Sequence, residues 1–216
     1  SHPSQRGLAT YRVGWCYFNL GKVEAAVKEL KTVLTTKELL SRSQSGIISV
    51  DKMFQEEVSR DLATFMARRP FKSSELTQLY KLSPENARLS QLSYIASEYE
   101  RLGQVPASIA AWRFVIKKQS YPKARLEGHV HLALLQSQHK DRKAAIKDFE
   151  TALGLWGQLG RCQDDTCKQL HTRLRQFVLD WNKLEKKKPS QELLEAYQAY
   201  LVVFAGELDM RLWEAQ

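Results

Sequence analysis

The sequence predicts an all-α fold, an array of helical hairpins, and three observations carry that expectation. In the stretch from Ala87 to Trp156 one hairpin occurs twice. Moving Leu92, Ala96, Ser108, Trp112 and Val115 forward by 37 residues, from 92 to 129, lands on His129, Ala133, Ala145, Phe149 and Ala152; four of the five positions match, small with small or aromatic with aromatic. Apolar residues recur at three- and four-residue spacing along most of the chain, as a helix with one buried face requires. No run alternates apolar with polar residues in the manner of a half-buried strand. With 216 residues and 43% apolar content there is ample material for a core, and the internal repeat favours an elongated array over a single large globule.

Taken in order, the first hairpin (7–35) carries Gly14, Tyr17, Gly21, Ala26, Leu30 and Val33, with Leu20-Gly21-Lys22 as its turn and Ala25-Ala26 allowing close helix contact. From Thr35 to Gly46 the composition turns polar, with Ser41, Ser43 and Ser45, and predicts a loop or frayed helix end. An amphipathic helix is expected from Ile47 to about Arg69, its apolar face holding Val50, Phe54, Val58, Leu62, Phe65 and Met66. Ser73-Ser74-Glu75 then opens a short helix that completes a degenerate second hairpin (47–81). The third (85–119) starts at Leu82-Ser83-Pro84-Glu85, with Ser83 as cap and Pro84 in the first turn, and turns at Leu102-Gly103-Gln104. The fourth (123–156) has Gln136 where the third has the aromatic Tyr99. Gly154, Gly157 and Gly160 punctuate the approach to the fifth (164–204), whose first helix shows the stripe Leu170, Leu174, Phe177, Val178, Trp181 and Leu184. Pro189-Ser190 closes that helix and caps the next, which carries Leu194, Tyr197, Leu201 and Phe204. Residues 207–216 read as the start of a sixth hairpin and Ser1-His2 as a remnant of cloning, so a fragment of a longer protein is expected.

The order small, aromatic, turn glycine, alanine, bulky, small-apolar in Gly14, Tyr17, Gly21, Ala26, Leu30 and Val33 resembles the tetratricopeptide repeat, a motif of roughly 34 residues. Thr10 stands where the family usually has Trp. Leu89 to Ser120 also resembles the motif, with Pro122 slightly late. The resemblance implies an α-solenoid with a right-handed superhelix, about five hairpins plus a truncated sixth, whose first helices line a concave groove. Onto that groove it places Leu8, Tyr11, Arg12, Trp15, Phe18 and Asn19, then Tyr94, Ser97, Glu100 and Arg101, then Glu127, His131, Leu134 and Gln138. Trp15, Phe18 and Tyr94 have the alternative of packing against a neighbouring hairpin. The family's Lys, Arg and Asn clamp for a terminal carboxylate is unmatched, because Ser93, Ser97, Val130 and Leu134 occupy its positions. The run Tyr197-x2-Tyr200-Leu201-x2-Phe204 is similar to bacterial envelope proteins of the gliding-motility kind. That likeness implies a periplasmic or envelope-associated protein, with a cytoplasmic location as the alternative.

Catalytic signals are missing from the sequence: no Gly-rich phosphate loop, paired-His metal motif or nucleophile elbow occurs. No catalytic residue, cofactor or metal is therefore expected, and the chain reads as non-enzymatic. His129 and His131 are two apart on a helix and face different ways. Cys162, Cys167 and His171 leave three readings open: a disulfide between the cysteines, two free thiols, or a zinc site short of one ligand. Cys16 is expected as buried packing. No apolar run is long enough to span a bilayer. The net charge of +9 suits an acidic protein, an anionic membrane surface or nucleic acid, while Lys183 and Lys186 to Lys188 sit at a helix end, where cations complement the dipole. The expected partner is another protein or peptide segment; the alternative is a nucleic-acid-binding repeat, and peripheral membrane association stays open.

Overall fold

The computed structural model describes residues 3–44, 47–160, 164–207 and 209–211. Its helices are α1 (Pro3–Asn19), α2 (Val23–Thr35), α3 (Lys52–Ala67), α4 (Ser73–Leu82), α5 (Arg88–Arg101), α6 (Val105–Lys118), α7 (Pro122–Gln138), α8 (Arg142–Gln158), α9 (Asp165–Glu185) and α10 (Gln191–Val203). The fold class is all-α. The chain divides into two compact units, Ser1–Phe114 and Val115–Gln216, each with its own core.

In the first unit α1 packs on α2, α2 on α3, and α3 on α5, with α4 against α5. Ala26, Leu30 and Val33 of α2, Val58, Leu62 and Phe65 of α3, and Leu92, Ile95 and Tyr99 of α5 form the buried interior. Gly14 lets α1 approach the Leu30 side chain, and at Gly7 a Cβ would overlap the backbone carbonyl of Leu39. In the second unit α7 packs on α8 and α9, and α10 covers α8 and α9. Its core holds Leu126, Phe149, Leu174, Phe177, Trp181 and Tyr200, with Phe149 and Phe177 at 4.5 Å between ring centroids.

The hairpin turns share one geometry. Gly21 sits at φ 73°, its N–H donates to the Phe18 carbonyl at 2.9 Å, and the Lys22 N–H reaches back to Tyr17 at 2.9 Å. Gly103 at φ 69° and Lys140 at φ 64° repeat this arrangement, with the N–H of Gln104 reaching Tyr99 and that of Asp141 reaching Gln136. A residue in the left-handed region satisfies the last helical carbonyls and reverses the chain. The following helices start on carboxylate or hydroxyl caps: Asp51 for α3, Asp141 for α8, Asp164 for α9 and Ser190 for α10 each accept from a backbone N–H.

Several expectations are corrected. The helix expected from Ile47 begins at Lys52; Ser41–Gln44 (β1) and Ile47–Val50 (β2) pair instead as an antiparallel ribbon, with Ser41 opposite Val50. Two isoleucines and a valine favour extended backbone, and Asp51 starts the helix only after them by accepting from the Phe54 N–H. The expected loop before the ribbon contains a 3-10 turn at Lys37–Leu40. Ser45 and Gly46 lie outside the described residues. Ser83 does not cap a helix; its hydroxyl donates back to the Leu79 carbonyl at 2.7 Å, and α5 starts only at Arg88. α8 runs through Gly154 and Gly157, so only Gly160, at φ 63°, punctuates that stretch. Pro122, the late proline of the third copy, opens α7. Of the expected sixth hairpin, residues 208 and 212–216 lie outside the described residues.

Candidate functional site

In the first unit the expected groove aromatics on α1 and α5 lie against α3. The Tyr11 hydroxyl donates to Asp61 Oδ2 at 2.5 Å and lies 3.1 Å from Glu57 Oε1. The Trp15 indole N–H donates to the same Asp61 oxygen at 2.8 Å. Burial, then the hydrogen bond to Asp61, lifts the Tyr11 phenol well above its ordinary range. Phe18 stacks on Phe65 with centroids 4.1 Å apart, and Trp15 meets both rings edge-on. Tyr94 hydrogen-bonds Thr64 at 3.1 Å and lies under the Arg60 guanidinium at 5.0 Å. Such aromatic contacts contribute about 0.5–1.5 kcal/mol each beyond area burial, so these four side chains tie neighbouring first helices together. Arg12, Asn19 and Ser97 are exposed, Glu100 is half-buried, and exposed Arg101 pairs with Glu98 at 2.7 Å, lowering that carboxylate's pKa. Leu8 lines a hollow of about 520 Å³ with Leu39, Met53, Phe54 and Glu57.

In the second unit the first-helix face leaves an open groove. α7 supplies Val130, His131 and Leu134, and α9 supplies Arg173, Gln176, Phe177 and Asp180 around a cavity of about 190 Å³. Val130 and Phe177 are buried and form an apolar floor. Arg173 bonds Glu127 Oε1 at 3.0 Å and stands 3.3 Å from His131 Nε2, so one end of the groove carries an ion pair. Two turns along the same helix, Asp180 accepts from Gln176 at 2.7 Å and from Lys183 at 3.0 Å, so the other end also carries an ion pair. Gln138 is exposed at the last turn of α7. Thus Glu127, His131 and Leu134 come together, whereas Arg173, Gln176 and Asp180 are absent from the sequence-derived set. Carrying the first-helix rule one hairpin further, onto α9, would find them.

The other singled-out residues have structural neighbours. His129 Nδ1 lies 2.7 Å from Asp148 Oδ1 and joins α7 to α8. His171 Nε2 meets Glu207 Oε1 at 2.7 Å and the Tyr200 hydroxyl at 3.1 Å, and Tyr200 donates to Glu207 at 2.9 Å. Cys167 is buried, and its N–H donates to Asp164 at 2.9 Å; Cys162, and with it the choice between disulfide, free thiols and zinc, lies outside the described residues. Among the described residues no group of three His, Cys, Asp or Glu is placed to hold a metal ion, and no helix is long and apolar enough to cross a membrane. Cys16 corrects its expectation: it is exposed, because α1 turns Gly7, Tyr11 and Gly14 inward and Cys16 falls on the opposite side.

A family model described as a tetratricopeptide repeat matches residues 9–38. No curated protein sequence matches the chain. Among solved structures, the nearly identical TPR-like repeats of a putative kinesin light chain from Podosopora anserina are similar to it, with a TM-score of 0.45 and 18% identity over 95% of this chain and 98% of that one. Tetratricopeptide repeats generally mediate protein–protein interaction and are typically non-enzymatic. The matched segment spans most of α1, the Gly21 turn and all of α2, so this first hairpin matches a tetratricopeptide repeat.

Proposed function

We propose that the chain is a non-enzymatic interaction scaffold that holds a segment of a partner protein in the groove between α7 and α9. The observation that carries this reading is the groove's build: an apolar floor of Val130 and Phe177 with an ion pair at each end, Arg173 with Glu127 and Asp180 with Lys183. About 190 Å³ is room for one or two side chains, well short of the several hundred Å³ that a cofactor-sized ligand needs. A partner segment would seat an apolar side chain on the floor and bond the charged groups at either end, as peptide grooves do. In this reading the chain works within an envelope-associated complex, which fractionation of the source cells would test.

Affinity capture from the source cells tests the groove, comparing the native chain with Arg173→Glu at low and high salt with nuclease added. Arg173 is exposed, so the variant keeps its fold. A partner retained by the native chain and lost roughly tenfold with the variant, about 1.4 kcal/mol, supports the reading. Retention unchanged by the variant sinks it. Retention abolished by nuclease and falling steeply with salt would establish the nucleic-acid alternative instead.

A further inference from the structure

We infer that the outer face of α1 docks an amphipathic helix of a partner protein with acidic flanks, at a surface distinct from the α7–α9 groove. On its inner side α1 buries Gly7, Tyr11 and Gly14. On the opposite side Ala9, Val13 and Cys16, then Leu20 in the turn just past the helix, follow one another at spacings of four, three and four, the rhythm of a heptad seam. All four are exposed, Val13 at 44% and Leu20 at 69%. A helix that is apolar on two opposite sides is ordinarily covered on both.

Charge decides what covers it. Arg6 continues the seam one turn before Ala9, and Arg12 stands beside it; both are exposed, and neither guanidinium has an ion pair among the described residues. The helix carries no acidic residue at all. A partner helix that lays Leu or Ile along the seam gains from carboxylates at its flanks, and one with Lys there is repelled. A second copy of the same face would set Arg6 and Arg12 against their own kind, which disfavours self-pairing.

The test uses the full chain and two synthetic helical peptides of about 18 residues, both with a Leu seam, one flanked by Glu and the other by Lys. Cys16 lies in the seam, so its rate of maleimide alkylation, assigned by mass mapping, reports coverage of this face alone. The Glu peptide is expected to bind and to slow alkylation of Cys16 about tenfold at saturation, while the Lys peptide does not. Val13→Asp should weaken the Glu peptide about tenfold, and Arg6→Glu with Arg12→Glu should reverse the preference. Circular dichroism verifies that the variants fold; if Val13→Asp does not, the arginine pair decides. Equal binding of both peptides, or of neither, overturns the proposal. Cys16 protected by raising the protein concentration without peptide would assign the face to a second copy and also overturn it. A peptide bound without protecting Cys16 refutes this surface and leaves the α7–α9 reading intact.

Discussion

Lys140 holds φ 64° in the turn between α7 and α8, where a side chain costs about 1 kcal/mol. It does so because the 37-residue offset places it where the third hairpin has Gly103 (103 + 37 = 140). Lys140→Gly is therefore expected to stabilise the chain by about 0.5–1 kcal/mol, read as a higher urea midpoint; an unchanged or lower midpoint would show that the lysine is held there by something else. The same offset takes Tyr99 to Gln136, and both are buried. Gln136 leaves its Oε1, and Tyr99 its hydroxyl, without a hydrogen-bond partner. A polar residue at an aromatic's place is legible in sequence; its missing partner is not, because that depends on what the neighbouring helices bring.

Between elements, the buried Arg69 after α3 joins helices that the sequence pattern leaves unrelated. Its guanidinium donates to Glu75 in α4 and to Glu24 in α2, and Glu75 is itself 3% exposed. Without Arg69 the buried Glu75 keeps Lys31 Nζ 3.8 Å away but loses its hydrogen-bonded partner, and a buried carboxylate so weakened is costly. Arg69→Ala should therefore destabilise the chain by about 3–5 kcal/mol, whereas Arg69→Met with Glu75→Leu should recover most of that loss; chemical denaturation of the three proteins measures it. Equal losses in the single and double variants would mean that packing, and not the charge pair, is what matters. The Gly21 turn and the Ser190 cap follow from the sequence, although α1 begins at Pro3, ahead of the expected residue 7. The ribbon at Ser41–Val50 does not follow from it, because four-residue strands carry too little alternation to separate them from a helix start.

For the molecule as a whole, buried tyrosines in both units set its behaviour in alkali. Burial pushes Tyr99 up to about 12 and raises Tyr11, Tyr197 and Tyr200 above the ordinary range. The unfolded chain releases these protons above about pH 10 while the folded chain retains them, so the stabilisation is full below that pH and lost as pH rises toward the folded values. The urea midpoint should hold to about pH 10 and fall beyond it, by up to about 3 kcal/mol for a residue as buried as Tyr99. Tyr99→Phe, which sacrifices no hydrogen bond, should make the fall shallower. A midpoint flat to about pH 11 would contradict this account.

By itself the sequence determined the helical class, the repeated hairpin and the tetratricopeptide resemblance at its first copy, since these rest on local spacing and on glycine at left-handed turns. It also brought Glu127, His131 and Leu134 together on one helix face, which periodicity alone dictates. The tertiary structure decided which of the expected groove residues stay open. Tyr11, Trp15, Phe18 and Tyr94 spend their rings on α3, where Asp61, Phe65 and Thr64 await them. Val130, Leu134 and Phe177 keep a groove because α7 and α9 leave a gap between them. Burial is settled by what an adjoining helix presents, and a helix's own sequence cannot name its neighbour.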